Sequence, residues 1–515
     1  MRNHLRGART LFALSLLLVL ATPVQATWHA NEEIPVESPV YGWLDDLATS
    51  YPVASAQLQV RPWTRADLGR FLDRLVADHP EADSDALVAR LRRELAPSGG
   101  VTGLEPMIAM EEDDLSLEVS PYLMTSFTQD ESRESFVRDY RGGAQASLAF
   151  GSRTLLFADA YVGTVAPGPH GTPDAAGSFR NRVTDVTHWA DRGYLAWFGR
   201  GVSLRAGRTW LRWGPGAQGS LALSDGAPAM DLVEARLKLP REAQLTWFLA
   251  TLDPVQQTYL TGHRVSVRVN PRMELGVSGL LRFDGTASAP LYLIPIVPLA
   301  GMDRRVQGGA DTPAESLITS NLMVAADLSW QWRPGVRVYG ELAVDDFVTD
   351  DSRPRLLGLQ AGLHLRRRHA GAWWTLRSEY TRVTAYTYST IHAHDFEHRG
   401  YATGYPWGPD VGRWFNRLEY RPGATWVFGS EFAFTRKGAG RLGQPWVPGS
   451  GMPTSSAFGA PAYTDTRFGG TADFEPSPAY NIRLAAGVAQ GSDVDNVAGR
   501  DKDGPYGSAR MTLRW

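Results

Sequence analysis

Two segments of the chain concentrate side chains that could hold a sugar. Residues 207–226 contain Trp210, Arg212 and Trp213, and residues 386–412 contain Tyr401, Tyr405, Trp407 and Asp410. Indole and phenol rings stack on the apolar faces of sugars, while guanidinium and carboxylate groups hydrogen-bond to hydroxyl or acidic groups. These seven residues therefore predict a glycan-binding site. The residues alone equally allow a structural loop in which the aromatic rings serve packing.

A glycine run at Gly438, Gly440 and Gly443 matches the fingerprint of dinucleotide-binding sites. Such a site requires the run to open a helix whose N-terminus holds the pyrophosphate. Pro445 and Pro448 follow almost at once and prevent a helix from continuing there. The run is therefore interpreted as a loop, and no cofactor is predicted.

Histidine and acidic clusters raise the question of a metal ion. His392, His394 and His398 lie close together, and residues 493–503 contain several aspartates. The aspartates do not have the spacing of the twelve-residue calcium loop. In polar loops such side chains are usually solvated, so no metal site is predicted.

Composition restricts the remaining chemistry. The chain has no cysteine, which excludes disulfides, thiolate nucleophiles and cysteine-ligated zinc. No nucleophile-elbow or zinc-protease motif marks its serine and histidine residues. A net charge of -3 offers no basic surface for nucleic acid. Catalysis therefore has no local support, and we predict a protein that is not an enzyme and has no catalytic residues, with an outer-membrane lipid or glycan hydrolase as the weakest alternative. No nucleic-acid partner is predicted.

The N-terminus has the features of an export signal. Arg2, Arg6 and Arg9 precede an apolar run at residues 11–21, and Val24-Gln25-Ala26 offers a small-x-small cleavage site. Residues 1–26 are therefore predicted to be a signal peptide. Residues 291–300 form the most apolar later stretch, which is far shorter than the roughly 18 residues of a membrane helix. This excludes a helical membrane protein.

Residues 27–112 are predicted to form a small helical region in the periplasm. Thr64 and Asp67 resemble a capping box, and apolar residues follow them at helical spacing. A second helix is predicted with Asp83 or Ser84 as its cap and with Leu87, Val88, Leu91 and Leu95 as its apolar residues, and a shorter one is predicted over residues 42–48.

From residue 113 to 515 the apolar period changes to two. The clearest example alternates Leu322, Val324, Ala326, Leu328, Trp330 and Trp332 with polar residues. Compact turns are predicted at 333–335 and 421–423 because both contain Pro-Gly. Strands with one apolar and one polar face suit a barrel with lipid outside and water inside, and the length allows about 16 to 20 of them. The alternating strand at residues 507–515 is predicted to close this barrel.

The two aromatic segments resemble the Wzi family of outer-membrane capsule-assembly proteins. The similarity rests on Trp213-Gly214-Pro215-Gly216 with Gly219-Ser220-Leu221, and on Gly404-Tyr405-Pro406 with Gly408. It implies a barrel of about eighteen antiparallel strands whose periplasmic end is occluded by a helical bundle. It also implies a lectin-like protein that binds capsular polysaccharide or exopolysaccharide at the cell surface.

The expected partners follow from this location. They are a surface polysaccharide, the outer-membrane lipid around the barrel, and the barrel assembly machinery, which would recognise the terminal Trp515. Barrel size alone leaves a second function open, namely a porin or channel for a small solute.

Overall fold

The computed structural model describes residues 29–53, 57–95, 107–164, 179–181, 186–285, 320–345, 354–389, 395–444, 447, 457–477 and 480–514. The predicted signal peptide, residues 291–300, His392, His394 and Trp515 lie outside these ranges.

Three α-helices occur in the described part of the chain: α1 (Val40–Ser50), α2 (Arg65–Asp78) and α3 (Ala86–Leu95). Thr64 and Asp67 form the predicted capping box of α2, with hydrogen bonds in both directions. The predicted cap of α3 is wrong. Residues 80–84 form a 3-10 turn, and Asp85 caps the helix by accepting the Leu87 amide at 3.0 Å. No helix among these residues is long and apolar enough to cross a membrane.

Eighteen antiparallel strands form a closed barrel, which confirms the predicted fold. Numbered along the chain, they are β1 (Leu115–Asp130), β2 (Ser135–Phe150), β3 (Thr154–Thr164), β4 (Val186–Phe198), β5 (Val202–Thr209), β6 (Met230–Leu239), β7 (Ala243–Asp253), β8 (Thr258–Asn270), β9 (Met273–Asp284), β10 (Ser320–Arg333), β11 (Val336–Val344), β12 (Leu357–His369), β13 (Ala372–Val383), β14 (Val411–Arg421), β15 (Trp426–Lys437), β16 (Tyr463–Ser477), β17 (Tyr480–Ser492) and β18 (Lys502–Arg514).

The last strand closes the barrel against the first, as predicted. β18 pairs with β1 from Tyr506 opposite Asp130 to Arg514 opposite Tyr122. The remainder of β1 pairs instead with a short strand, Ile108–Glu112. The sheet therefore begins five residues before the predicted boundary at 113.

The two ends of the barrel differ in the length of their connections. Eight short turns join strands at one end, including the predicted Pro-Gly turns between β10 and β11 and between β14 and β15. The connections at the other end include those from β5 to β6, β13 to β14 and β15 to β16, which are much longer. Outer-membrane barrels place short turns in the periplasm and long loops outside the cell.

The helical bundle lies in the lumen at the short-turn end. The Thr49 carbonyl at the end of α1 accepts the amide of Gly335, which lies in one of the short turns, at 2.7 Å. Asp46 accepts from His364 at 2.9 Å and from Arg377 at 2.7 Å, both on inward faces of the wall. Burial acts to raise the pKa of Asp46, but these two neighbours lower it well below its ordinary range. The bundle is thus attached to the barrel by charged contacts.

The two faces of the strands have opposite character. On β10, Asp327, Ser329 and Gln331 are buried in the lumen, whereas Trp330 and Trp332 are exposed on the outside. Other large apolar side chains form the same outer surface: Leu342, Leu359, Trp374, Trp414, Trp426, Phe428, Phe468 and Leu484. An apolar belt with aromatic residues is the surface that a bilayer requires, so the predicted alternation is confirmed.

Candidate ligand-binding site

The first aromatic segment folds into the lumen after β5. Its residues Arg212–Trp213 pair with Val60–Arg61, which lie between α1 and α2. The Gly214 amide also donates to the Gln59 carbonyl at 2.9 Å. The connection from the long-loop end therefore reaches the N-terminal region inside the barrel.

Two wall carboxylates hold this segment by its backbone. Glu341 on β11 accepts the Ala222 amide at 3.0 Å. Glu379 on β13 accepts the amides of Ala217 at 2.5 Å and Gln218 at 3.1 Å. The two carboxyl groups thus attach the segment to the barrel wall through three backbone hydrogen bonds.

The second aromatic segment packs directly on the first. The Tyr388 hydroxyl donates to the Leu221 carbonyl at 2.6 Å and accepts the Tyr405 amide at 3.0 Å. The Ser224 amide donates to the Thr403 carbonyl at 2.8 Å. Burial raises the pKa of the Tyr388 hydroxyl far above its ordinary value, which keeps its proton available for donation. Tyr388 is not among the seven predicted binding residues, because only the fold brings its hydroxyl between the two segments.

Close approach of the two backbones explains one glycine of the second segment. A Cβ on Gly404 would lie 2.2 Å from the Leu221 carbonyl oxygen. No side chain fits at that distance, so Gly404-Tyr405-Pro406 can meet the first segment only with glycine at this position.

Two of the seven predicted binding residues lie in the centre of this junction. Trp213 and Tyr405 are 0% exposed and belong to one apolar cluster. The Trp213 ring meets the Phe248 ring edge-on, with centroids 5.2 Å apart. In this arrangement both rings serve packing, and neither offers a free face to a sugar.

Arg212 and Asp410 are also buried and hold the loops together. Arg212 pairs with Asp225 at 3.3 Å. Asp410 accepts the amides of Gly440 and Gly459, each at 3.0 Å. Gly440 belongs to the glycine run of residues 438–443. The run forms a loop, as the sequence predicted, and its Gly440 amide is one of the partners of Asp410.

Trp210, Tyr401 and Trp407 are only half-buried. The Arg413 guanidinium lies 4.2 Å from the Trp407 ring centroid, and the Trp407 carbonyl accepts from Lys437 at 2.9 Å. The Trp210 indole donates to the Ala227 carbonyl at 2.9 Å. Trp210 and Trp407 are therefore held in place, and part of the surface of all three residues stays accessible. Arg413 and Lys437 were not predicted, because only the fold brings these strand residues to Trp407.

The histidine of this region that the structure describes is His398. It is buried and contacts the Leu252 carbonyl at 3.1 Å, and burial lowers its pKa. It is therefore neutral near pH 7 and has a backbone partner. Among the described residues, no group of three histidine or acidic side chains is arranged to hold a metal ion.

Comparisons with known proteins agree with this architecture. The family model described as capsule assembly protein Wzi matches residues 118–502. Escherichia coli Wzi, an outer-membrane protein involved in group 1 capsule assembly and described as a carbohydrate-binding β-barrel, superposes with a TM-score of 0.64 at 14% identity. The alignment covers 93% of this chain and 99% of that one.

Other solved barrels are less similar. Acinetobacter baumannii OccAB1 has a TM-score of 0.46 at 9% identity and covers 78% of this chain and 97% of its own. Pseudomonas aeruginosa OprD has a TM-score of 0.43 at 9% identity, with 81% and 98% covered. No match was found among curated proteins. The family match spans most of the barrel, and the chain belongs to the Wzi family of outer-membrane capsule assembly proteins.

Proposed function

We propose that this outer-membrane barrel is a non-enzymatic, lectin-like protein that binds capsular polysaccharide or a related exopolysaccharide and helps attach it at the cell surface. The observation that carries the proposal is the union of the two aromatic segments inside the barrel. Three residues of these segments, Trp407, Tyr401 and Trp210, keep part of their surface exposed. Barrel, family and location support a role in capsule assembly.

A rigid junction suits a sugar-binding surface. Aromatic rings give a large contact area to a sugar, and rings that are already fixed lose little conformational freedom when the ligand binds. Trp407 is fixed through its carbonyl by Lys437 and through its ring by Arg413. We assign the accessible half of the site to Trp210, Tyr401 and Trp407, and a supporting role to Trp213, Arg212, Tyr405 and Asp410.

Two further partners belong to the same proposal. The apolar belt around Trp330, Trp332 and Trp426 would contact the outer-membrane lipid. The barrel assembly machinery would insert the chain, using the C-terminal strand as its signal.

Binding of purified capsular polysaccharide to Trp407→Ala tests the proposal. The substitution should weaken binding about fivefold or more, since stacking of one aromatic ring contributes on the order of 1 kcal/mol or more. Trp332→Ala is the matched control, because this ring lies on the outer face, 57% exposed. Equal binding by Trp407→Ala and the wild type would return Trp407 to a packing role.

Deletion of the gene tests the cellular role. Cells should still make the polymer but release it into the medium. Normal retention at the surface would refute the attachment function. Single-channel recording addresses the alternative: the filled lumen predicts no steady open pore, and a steady conductance would favour a porin.

A further inference from the structure

A cavity of about 370 Å3 lies between the helical bundle and the barrel wall. α1 contributes Trp43 and Asp46 to one side, and inward side chains of β14–β18 form much of the other. No residue of the two aromatic segments lines it. Small-molecule pockets begin at about 300 Å3, so the cavity has room for a ligand about the size of one sugar.

The cavity is rich in arginine. Nine arginines and seven carboxylates line it. Several of these charges neutralise each other, for example Arg377 with Asp46 at 2.7 Å, Arg192 with Asp159 at 2.8 Å and Arg417 with Glu419 at 2.7 Å. The arginine excess therefore resides in residues outside these pairs.

Arg421 is the most informative of them. Its residue surface is only 6% exposed, and its Nη1 has no hydrogen-bond partner among the described residues. Buried donors are normally paired, and a guanidinium that lacks an acceptor loses much of its hydration without compensation. An acceptor brought by a ligand would complete this site.

The final strand adds two more guanidinium groups. Arg510 and Arg514 occupy cavity-facing positions on β18, with Thr512 between them on the same face. Residues four apart on a strand are about 13 Å apart, so the two guanidinium groups can share one ligand when both long side chains lean toward Thr512. No ion pair joins either to another described residue. Planar guanidinium groups bind carboxylate and phosphate oxygens through paired hydrogen bonds.

We propose that this cavity is a binding site for an oxyanion, recognised by Arg421, Arg510 and Arg514. The shared chemistry is a carboxylate or phosphate group, carried either by an acidic sugar or by a phosphorylated ligand. The site is separate from the glycan site proposed above and uses other residues. The periplasmic half of the lumen would then bind an anion at a place of its own, apart from the polysaccharide.

Calorimetric titration of the purified full-length protein in detergent tests the site. Glucuronate and inorganic phosphate are the two probes, and glucose is the neutral reference. The wild type should bind at least one anion saturably and should not bind glucose. Replacing both arginines, in Arg510→Gln with Arg514→Gln, should weaken anion binding about 10- to 100-fold, because each charged hydrogen bond is worth well over RT.

Arg500→Gln is the matched control, since Arg500 pairs with Asp495 in an exposed loop away from the cavity. It should bind the anion as the wild type does. Tighter binding of glucuronate would assign the ligand to acidic sugars, and tighter binding of phosphate would assign it to phosphorylated ligands.

The proposal is overturned if neither anion binds, or if a double variant that still shows the heat-dependent gel shift of a folded barrel binds as tightly as the wild type. Failure of Trp407→Ala to affect polysaccharide binding would leave this result unchanged, so the two proposals fail separately.

Discussion

Gly219 of the first aromatic segment lies directly against Pro406 of the second. A Cβ on Gly219 would be 2.3 Å from the Pro406 Cδ, and the φ of Gly219 is +125°, a conformation that other residues avoid. Gly219→Ala should therefore lower the free energy of unfolding by about 2–4 kcal/mol, from backbone strain and overpacking together. Thermal unfolding in detergent measures the change.

Two glycines serve as controls for this substitution. Gly371 has a φ of +83° but open space around a Cβ, so Gly371→Ala reports backbone strain alone. Gly423 has neither a positive φ nor an atom close to its Cβ position, so Gly423→Ala should leave the stability nearly unchanged. If Gly219→Ala cost no more than Gly371→Ala, the contact with Pro406 would not hold the segments together.

Trp213 and Trp407 should respond differently to removal of the ring. Trp213→Ala removes a fully buried side chain from the junction and should cost about 3–5 kcal/mol of stability. Polysaccharide affinity of the folded fraction should change little, because the ring has no exposed face. Trp407→Ala should instead weaken polysaccharide binding and change the stability little. Direct loss of affinity in stable, folded Trp213→Ala protein would place this ring in the binding surface after all.

The contact between Asp85 and Arg366 attaches the bundle to the wall. Arg366 donates to both carboxylate oxygens, at 2.9 and 3.0 Å, and both side chains are 1% exposed. Arg366→Gln leaves the Asp85 charge buried without its cation, which typically costs about 3–5 kcal/mol. The bundle should undock more often, and trypsin should then cleave within α2 and α3.

Arg74→Gln is the control for this cleavage. Arg74 pairs with Asp78 on the exposed face of α2, where such a pair contributes only about 0.3–0.5 kcal/mol. The control should be digested as slowly as the wild type. Equal resistance of Arg366→Gln would show that other contacts hold the bundle.

Glu32 makes the N-terminal region sensitive to pH. Burial raises the pKa of this carboxyl from 4.5 to about 7, although Arg65 opposes the shift. Between these values the folded protein binds more protons than the unfolded chain, so the free energy of unfolding falls as the pH rises from about 4.5 to 7. Glu32→Gln should make the pH profile of stability flatter in that range.

Glu81→Gln is the matched control, because Glu81 is exposed on the 3-10 turn before α3. Its profile, measured by thermal unfolding at several pH values, should follow the wild type. A Glu32→Gln profile as steep as the wild type would show that Glu32 does not titrate in this range.

The sequence predicted those features that depend on local pattern. Alternation along β10 identified its lipid face, and Thr64 with Asp67 identified the start of α2. The pairing of Trp213 with Val60 could not be predicted, because it joins distant segments by backbone hydrogen bonds that no residue type specifies. The hydrogen bonds of Asp410 with the Gly440 and Gly459 amides could not be predicted for the same reason, because they form only when the fold brings three loops together.

The closing strand gives the last prediction. β18 meets β1 from Tyr506 to Arg514, and its other edge pairs with β17. Deleting residues 507–515 would leave β1 and β17 with long unpaired edges, which lipid cannot satisfy. The truncated chain should be absent from the outer membrane, as judged by fractionation and the heat-dependent gel shift. Trp515→Phe keeps the strand and its aromatic end and should insert normally, whereas a folded truncated barrel would show that closure does not need this strand.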